Sequence, residues 1–205
     1  MSKAVGRHVN HAFLGASGSG KTFAAMAARK RRTLSVAVDP SGNEEGAQLG
    51  EILEWLSGPM ADPRRGGHRT WNAAGAYEAG SLPDGFALLT RAMQTQGAAT
   101  RRRSTLILDE VGHITLNARR AGRKKDLDVV REAVRVSKTG RHTGVSMWMI
   151  TQRAQELPPN AELECRNIFS VGDNREWRYY EREIGGRQLT NALRATEWAR
   201  AAAAR

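Results

Sequence analysis

Apolar residues gather along the chain into short runs, separated by stretches with helical spacing. The runs are His8–Leu14, Leu34–Asp39, Thr105–Asp109, Ser146–Thr151 and Ile168–Val171. The last four are short, rich in β-forming residues and largely apolar on both faces. That pattern predicts strands of a parallel sheet with helices packed over both sides. Between the runs, Leu49, Ile52, Leu53 and Leu56 follow the stripe of an amphipathic helix. Over Asp126–Thr139 a second helix is predicted. Leu127, Val130 and Val134 form its apolar stripe, opposite Asp128, Arg131, Glu132 and Arg135. The stretch Gly58–Gly85, rich in Gly, Pro and Asp, reads as loop with a small strand or turn around Arg69–Asn72. Strands alternating with helices define an α/β fold with a mostly parallel sheet.

Composition narrows the class. The 205 residues suit one domain, with a C-terminal helical appendage expected over 174–205. Hydrophobic residues make up 40% and charged residues 26%, as in globular proteins. No apolar run approaches the about 20 residues of a membrane helix. The start, MSKAVGRHVNH, lacks a secretory apolar stretch. The single Cys165 excludes an internal disulfide and suits a reducing compartment.

The strongest chemistry lies in Gly15-Ala16-Ser17-Gly18-Ser19-Gly20-Lys21-Thr22, which fits G-x-x-x-x-G-K-[ST] at every position. The run Ala12–Leu14 precedes it, and the helix-forming stretch Phe23–Arg32 follows. Glycines let such a loop turn its backbone N–H groups onto a phosphate, and the helix that begins there favours the anion. Lys21 can reach the β- and γ-phosphates of ATP, and the Thr22 hydroxyl can ligate Mg²⁺. A second motif, Ser104-Thr-Leu-Ile-Leu-Asp109-Glu110, is an apolar strand ending in two carboxylates. Asp109 is placed to hold Mg²⁺ through water, and Glu110 to act as general base on an attacking water. A third, Val145–Arg153, is a buried strand ending in Gln152. From the neighbouring strand, that Gln can sense the γ-phosphate or the water. Before it, Gly140-Arg141-His142-Thr143-Gly144 predicts a tight turn, from which Arg141 can act as an arginine finger in a neighbouring subunit. Arg135 and Arg153 are rivals for that role.

Taken together, the phosphate loop, Leu-Ile-Leu-Asp-Glu, Gly-Arg-His-x-Gly and the Thr-Gln-Arg strand ending resemble the FtsK/HerA superfamily of DNA-pumping ATPases. Within it, the chain resembles the genome-packaging ATPases of tailless, membrane-containing icosahedral viruses. The resemblance covers about Ala12 to Gly172. It implies a RecA-like P-loop NTPase core, ATP with Mg²⁺, a homo-oligomeric ring and double-stranded DNA threaded through it. It also implies partners at the capsid vertex or in the viral membrane, and a place in the host cytoplasm or at the packaging vertex of the virion. Only 14 residues precede Gly15, without the barrel of cellular HerA proteins, so a bare motor is expected.

Charge gives the DNA expectation a location. Lys and Arg number 32 against 21 acids, for a net +11, and 26 of the 32 are Arg. Arg abundance can reflect a GC-rich genome as well as a polyanionic partner. The span Val111–Arg141 holds nine basic and three acidic residues, a net +6 within 31 residues. Arg119, Arg120, Arg123, Lys124 and Lys125 are therefore expected on a pore loop that touches DNA phosphates without reading sequence. A solvated loop, or one docking on another protein, is the alternative. Two other functions fit parts of the sequence. One is a zonula-occludens-toxin-like assembly or secretion ATPase of filamentous phage, which typically carries a membrane helix. The other is a non-pumping ATP-dependent switch. The paired Asp109 and Glu110 speak against a site that only binds.

Overall fold

The computed structural model describes residues 8–30, 32, 34–58, 67–100, 103–120, 122–153, 156–157 and 165–170. Six strands form one sheet: β1 (Asn10–Leu14), β2 (Leu34–Asp39), β3 (Gly67–Asn72), β4 (Ser104–Leu108), β5 (Val145–Thr151) and β6 (Cys165–Ser170). Their order is β3-β2-β4-β5-β1-β6, and every neighbouring pair is parallel. The helices are α1 (Lys21–Arg29), α2 (Leu49–Ser57), α3 (Ala74–Glu78), α4 (Leu82–Thr100), α5 (Val111–Arg120) and α6 (Leu127–Thr143), with a 3-10 turn at Lys124–Asp126.

Burial follows the pleat. On one face Ala12, Leu14, Val36, Val38, Leu106, Leu108, Met147 and Met149 join residues of α2, α4, α5 and α6 in the larger core. On the other, Phe13, Ala37, Ile107, Trp148 and Ile150 pack with Ala25 of α1. Alternate residues thus serve opposite cores, which is why the central strands are apolar at nearly every position. The FtsK/HerA-like expectation of a parallel P-loop sheet with helices on both faces is met.

Element boundaries differ from the sequence reading in instructive ways. Within Gly58–Gly85, the small strand or turn expected around Arg69–Asn72 is the edge strand β3, paired with β2 from Leu34↔Gly67 to Asp39↔Asn72. Two helices, α3 and the start of α4, also lie there. The stripe Leu82, Phe86, Leu89 and Met93 carries α4 and is fully buried. Pro83 and Asp84, which suggested loop, sit in its first turn, where both residue types are favoured. The predicted turn around Arg141 is instead the last turn of α6, which runs on to Thr143 and is capped by Gly144 at φ 75°. The expected pore loop is also mostly helical: Arg119 and Arg120 end α5, and Lys124 and Lys125 form the 3-10 turn. The predicted appendage over 174–205 lies outside the described residues.

Candidate active site

The chemistry collects where β1, β5 and β4 end. Leu14 pairs with Thr151, and Leu108 with Met149, so the three tips lie side by side. The phosphate loop leaves β1, Gln152 leaves β5, and Asp109-Glu110 leaves β4. Because β5 lies between the other two, Gln152 emerges between the loop and the carboxylates.

Gly18 and Gly20 hold φ of 75° and 87°, a region that side-chain-bearing residues rarely adopt. Ser19 N–H donates to Ala16 O at 3.2 Å and closes the turn. Gly20 caps α1, whose first residue is Lys21. Lys21 is 5% exposed, and its Nζ donates to Ala16 O at 3.3 Å, so the ammonium is folded over the loop. Ser19 Oγ is buried without a hydrogen-bond partner. An orphaned hydroxyl inside a loop of inward amides fits a phosphate oxygen. Ser17, Gly18 and Gly20 are exposed, while Gly15 is buried at the end of β1.

Thr22 Oγ1 donates to Asp109 Oδ2 at 3.1 Å, spanning the tip of β5. A hydroxyl and a carboxylate facing each other beside a phosphate loop are the hard oxygen donors that Mg²⁺ takes alongside water and phosphate. Among the described residues there is no cluster of three or more His, Cys, Asp or Glu able to hold a metal alone. A Mg²⁺ ion shared with nucleotide phosphates needs no such cluster. Asp109 is 5% exposed, and its carboxyl is pushed up to about 6. Burial is the main cause. Hydrogen bonds from Glu110 N–H and Thr22 oppose it, and the charges of Glu110 and Asp39 add to it. A carboxylate held this reluctantly in its charged form gains from an arriving cation.

Glu110 has φ 49°, left-handed without being glycine. Strain of this kind costs on the order of 1 kcal/mol and recurs at functional positions. Glu110 N–H donates to Asp109 Oδ1 at 2.8 Å, and Glu110 O accepts from His113 N–H at 2.9 Å to open α5. The sharp turn thus starts a helix two residues after the strand.

The other predicted residues fall in different places. Gln152 is exposed beside the phosphate loop. Arg141 is exposed near the start of β5, at the opposite end of the sheet, and its Nε donates to His142 Nε2 at 3.1 Å. Seven strand residues, about 23 Å, separate it from its own phosphate loop. Of its rivals, Arg135 is paired with Glu132 at 2.6 Å, and Arg153 is exposed beside Gln152. Arg123 is committed inside the fold. It pairs with Asp126 at 3.0 Å, donates to Tyr77 O and lies 4.5 Å over the Tyr77 ring. Lys124 and Lys125 are exposed. For Arg119 and Arg120 the backbone alone is described, at the end of α5.

Sequence reasoning missed two carboxylates at this edge. Asp39, at the tip of β2, accepts from Ser41, Gly42 and Glu44 N–H groups at 2.8–3.1 Å and shapes the loop beside Asp109. Its signal was legible as Asp before Pro-Ser-Gly, a turn in which Asp caps its own backbone. Glu156 has no local signal.

A phosphate loop, an adjacent Thr–Asp pair and a strand inserted between them define a P-loop NTPase fold. No protein-family model matches the sequence, and no curated protein matches it. Solved structures do. The conjugation coupling protein TcpA of pCW3, solved with ATPγS, superposes at TM-score 0.56 with 14% identity, covering 84% of this chain and 51% of that one. The chain therefore spans about half of that neighbour. The genome packaging NTPase B204 of Sulfolobus turreted icosahedral virus 2, solved with ATPγS, superposes at TM-score 0.53 with 15% identity, covering 92% and 86%. Its AMPPCP complex gives 0.51 at 16% identity. At these identities the likeness establishes the fold.

Proposed function

We propose that the protein is a Mg²⁺-dependent ATPase that moves double-stranded DNA through a ring of its own copies and packages a viral genome. The observation that carries this reading is the Thr22–Asp109 hydrogen bond reaching across the tip of β5. It brings a phosphate cradle, a metal-type oxygen pair, an acid and a Gln to one edge of the sheet.

Each residue has a task there. The loop amides from Ser17 to Thr22 bind and orient the phosphates, and Lys21 neutralises them. Thr22 and Asp109 would hold Mg²⁺, which would supply charge neutralisation for the phosphates. Glu110 takes a proton from the attacking water, in line with the γ-phosphorus. Gln152 stands where it can hydrogen-bond that water or the γ-phosphate and so report hydrolysis. Arg141 lies too far from its own site to act in cis, which supports a finger acting on the next subunit of a ring.

The basic segment follows directly after Glu110. Helix α5 begins there and leads to Arg119, Arg120, Arg123, Lys124 and Lys125. Arg123 anchors that segment to Tyr77, leaving Lys124 and Lys125 outward for DNA phosphates. The genome-packaging neighbour matched over most of its length supports packaging as the use of the motor, at a capsid vertex or in the host cytoplasm. Among the described residues no helix is long and apolar enough to cross a membrane.

ATPase rate against protein concentration, with and without double-stranded DNA, tests this reading. A finger acting in trans predicts a rate per chain that rises with concentration and rises again with DNA. A rate indifferent to DNA at every concentration contradicts translocation.

A further inference from the structure

Beyond β5, one carboxylate meets two elements of the site. Glu156 Oε2 accepts from Thr151 Oγ1 at 2.5 Å and from Arg153 N–H at 3.2 Å. These two donors flank Gln152. Thr151 is fully buried and pairs with Leu14, the residue before the phosphate loop. The next residue, Leu157, is buried in the main core.

The same oxygen also lies against Gly112, the second residue of α5. A Cβ at that position would fall 2.0 Å from Oε2 and 2.4 Å from Cδ. Only glycine fits while Glu156 holds its place. Gly112 is two residues from Glu110. The negative charge also faces the first turn of α5, where an anion is favoured.

We propose that Glu156 is a positioning residue, clasping the Gln152 turn to the start of α5 so that Gln152 and Glu110 share one frame. The proposal rests on the roles given to those two residues above. A general base and a γ-phosphate sensor must address the same water within a fraction of an ångström, and they come from different strands. The direct pairing of β4 with β5 cannot set that distance alone, because both side chains lie beyond the last paired residues. A carboxylate that takes a donor on each side of Gln152 and abuts the backbone beside Glu110 can set it.

Four variants test the clasp: Glu156→Ala, Glu156→Gln, Gly112→Ala and the double variant Gly112→Ala/Glu156→Ala. Misplacement of reacting groups by about 1 Å can cost on the order of 100-fold. Glu156→Ala is therefore expected to lower kcat about 10- to 100-fold, with ATP affinity changed less than about threefold. Glu156→Gln keeps an acceptor for Thr151 and recovers most of that rate. Gly112→Ala displaces the carboxylate and reproduces the kcat loss. The double variant is no slower than either single one, because both break one contact.

A second readout needs no turnover. Hydrogen exchange at the Arg153 amide, measured without nucleotide, is expected to quicken at least about tenfold in Glu156→Ala and in Gly112→Ala. If Glu156→Ala does not fold, Thr151→Val, which removes the hydroxyl donor to Oε2, carries the same two measurements. Wild-type kcat in Glu156→Ala, multiplying losses in the double variant, or unchanged Arg153 exchange would each overturn the clasp. A wild-type protein that binds ATP without hydrolysing it would instead overturn the reading of the site as an ATPase, and the exchange measurement would still judge the clasp.

Discussion

Asp109 and His11 are both titratable, both nearly sealed from water, and both carried by the same sheet. Burial pushes each toward its neutral form: Asp109 up to about 6, His11 down to about 4. Their surroundings differ in kind. Asp109 ends β4 among donors, with Glu110 N–H and the Thr22 hydroxyl on its oxygens and a phosphate loop alongside. His11 lies within β1 in an aromatic shell, its ring 4.9 Å from Trp148, 5.2 Å from Phe169 and 6.3 Å from Phe13. Arg32 stands 3.4 Å from its Nε2 and adds a repulsive charge to the burial. A displaced pKa therefore marks burial, not function. What separates the two is whether the neighbours leave a place for an arriving charge.

The largest effects should fall on turnover. Asp109→Asn and Lys21→Ala are expected to lower kcat/KM by about 10³-fold or more, since each removes charge matched to the phosphates or the metal. His11→Phe should stay within about threefold of wild type. A comparable loss in His11→Phe would erase the distinction between the two groups.

Stability against pH sharpens it next. Between about pH 4 and 6 the folded chain binds a proton at Asp109 that the unfolded chain has released, so this group's contribution falls as pH rises. Between about pH 4 and 6.5 the unfolded chain protonates His11 while the folded chain excludes the proton, so that contribution rises with pH. Each is worth on the order of 3 kcal/mol across its window. The two oppose each other, and urea denaturation of the wild type should vary little over this range on their account. Asp109→Asn should steepen the rise with pH, and His11→Phe should expose a fall.

A smaller effect concerns the strained neighbour of Asp109. Glu110→Gly relieves the φ of 49° and is expected to raise stability by up to about 1 kcal/mol while turnover is lost, read from paired melting and ATPase curves. The smallest effect takes the comparison to exposed charge. Replacing Lys124 and Lys125 by Ala should leave stability within about 0.5 kcal/mol. In a DNA-binding titration the same change should lower the salt slope by roughly two, one for each lost phosphate contact.

The nucleotide edge was legible because its chemistry is local. Eight consecutive residues make the phosphate loop, and Asp109-Glu110 ends an apolar run, so spacing alone places them. The strand order that brings Gln152 between them is a long-range property, and the Thr-Gln-Arg ending only hinted at it. Arg141 and the pore loop came out differently because Gly140, Gly144 and the basic run read as turn and loop, while the stripe of Val129, Val130, Ala133 and Val136 carries the helix through to Thr143. Composition likewise hid α4, whose spacing from Leu82 onward is regular. Arg123 carried the same signal as Lys124 and Lys125, and the chance placement of Tyr77 and Asp126 beside it sets it apart. Glu156 was invisible, since no motif marks its local contacts with Thr151 and Arg153, and Gly112 becomes its neighbour only through the fold.

The account turns on Glu110 activating water beside an intact nucleotide pocket, and Glu110→Gln addresses that most directly. Equilibrium binding of MgATP and single-turnover hydrolysis should be measured on the same preparation, beside the wild type. The expected result is wild-type affinity with hydrolysis slowed at least about 100-fold. Hydrolysis at the wild-type rate in Glu110→Gln would contradict it.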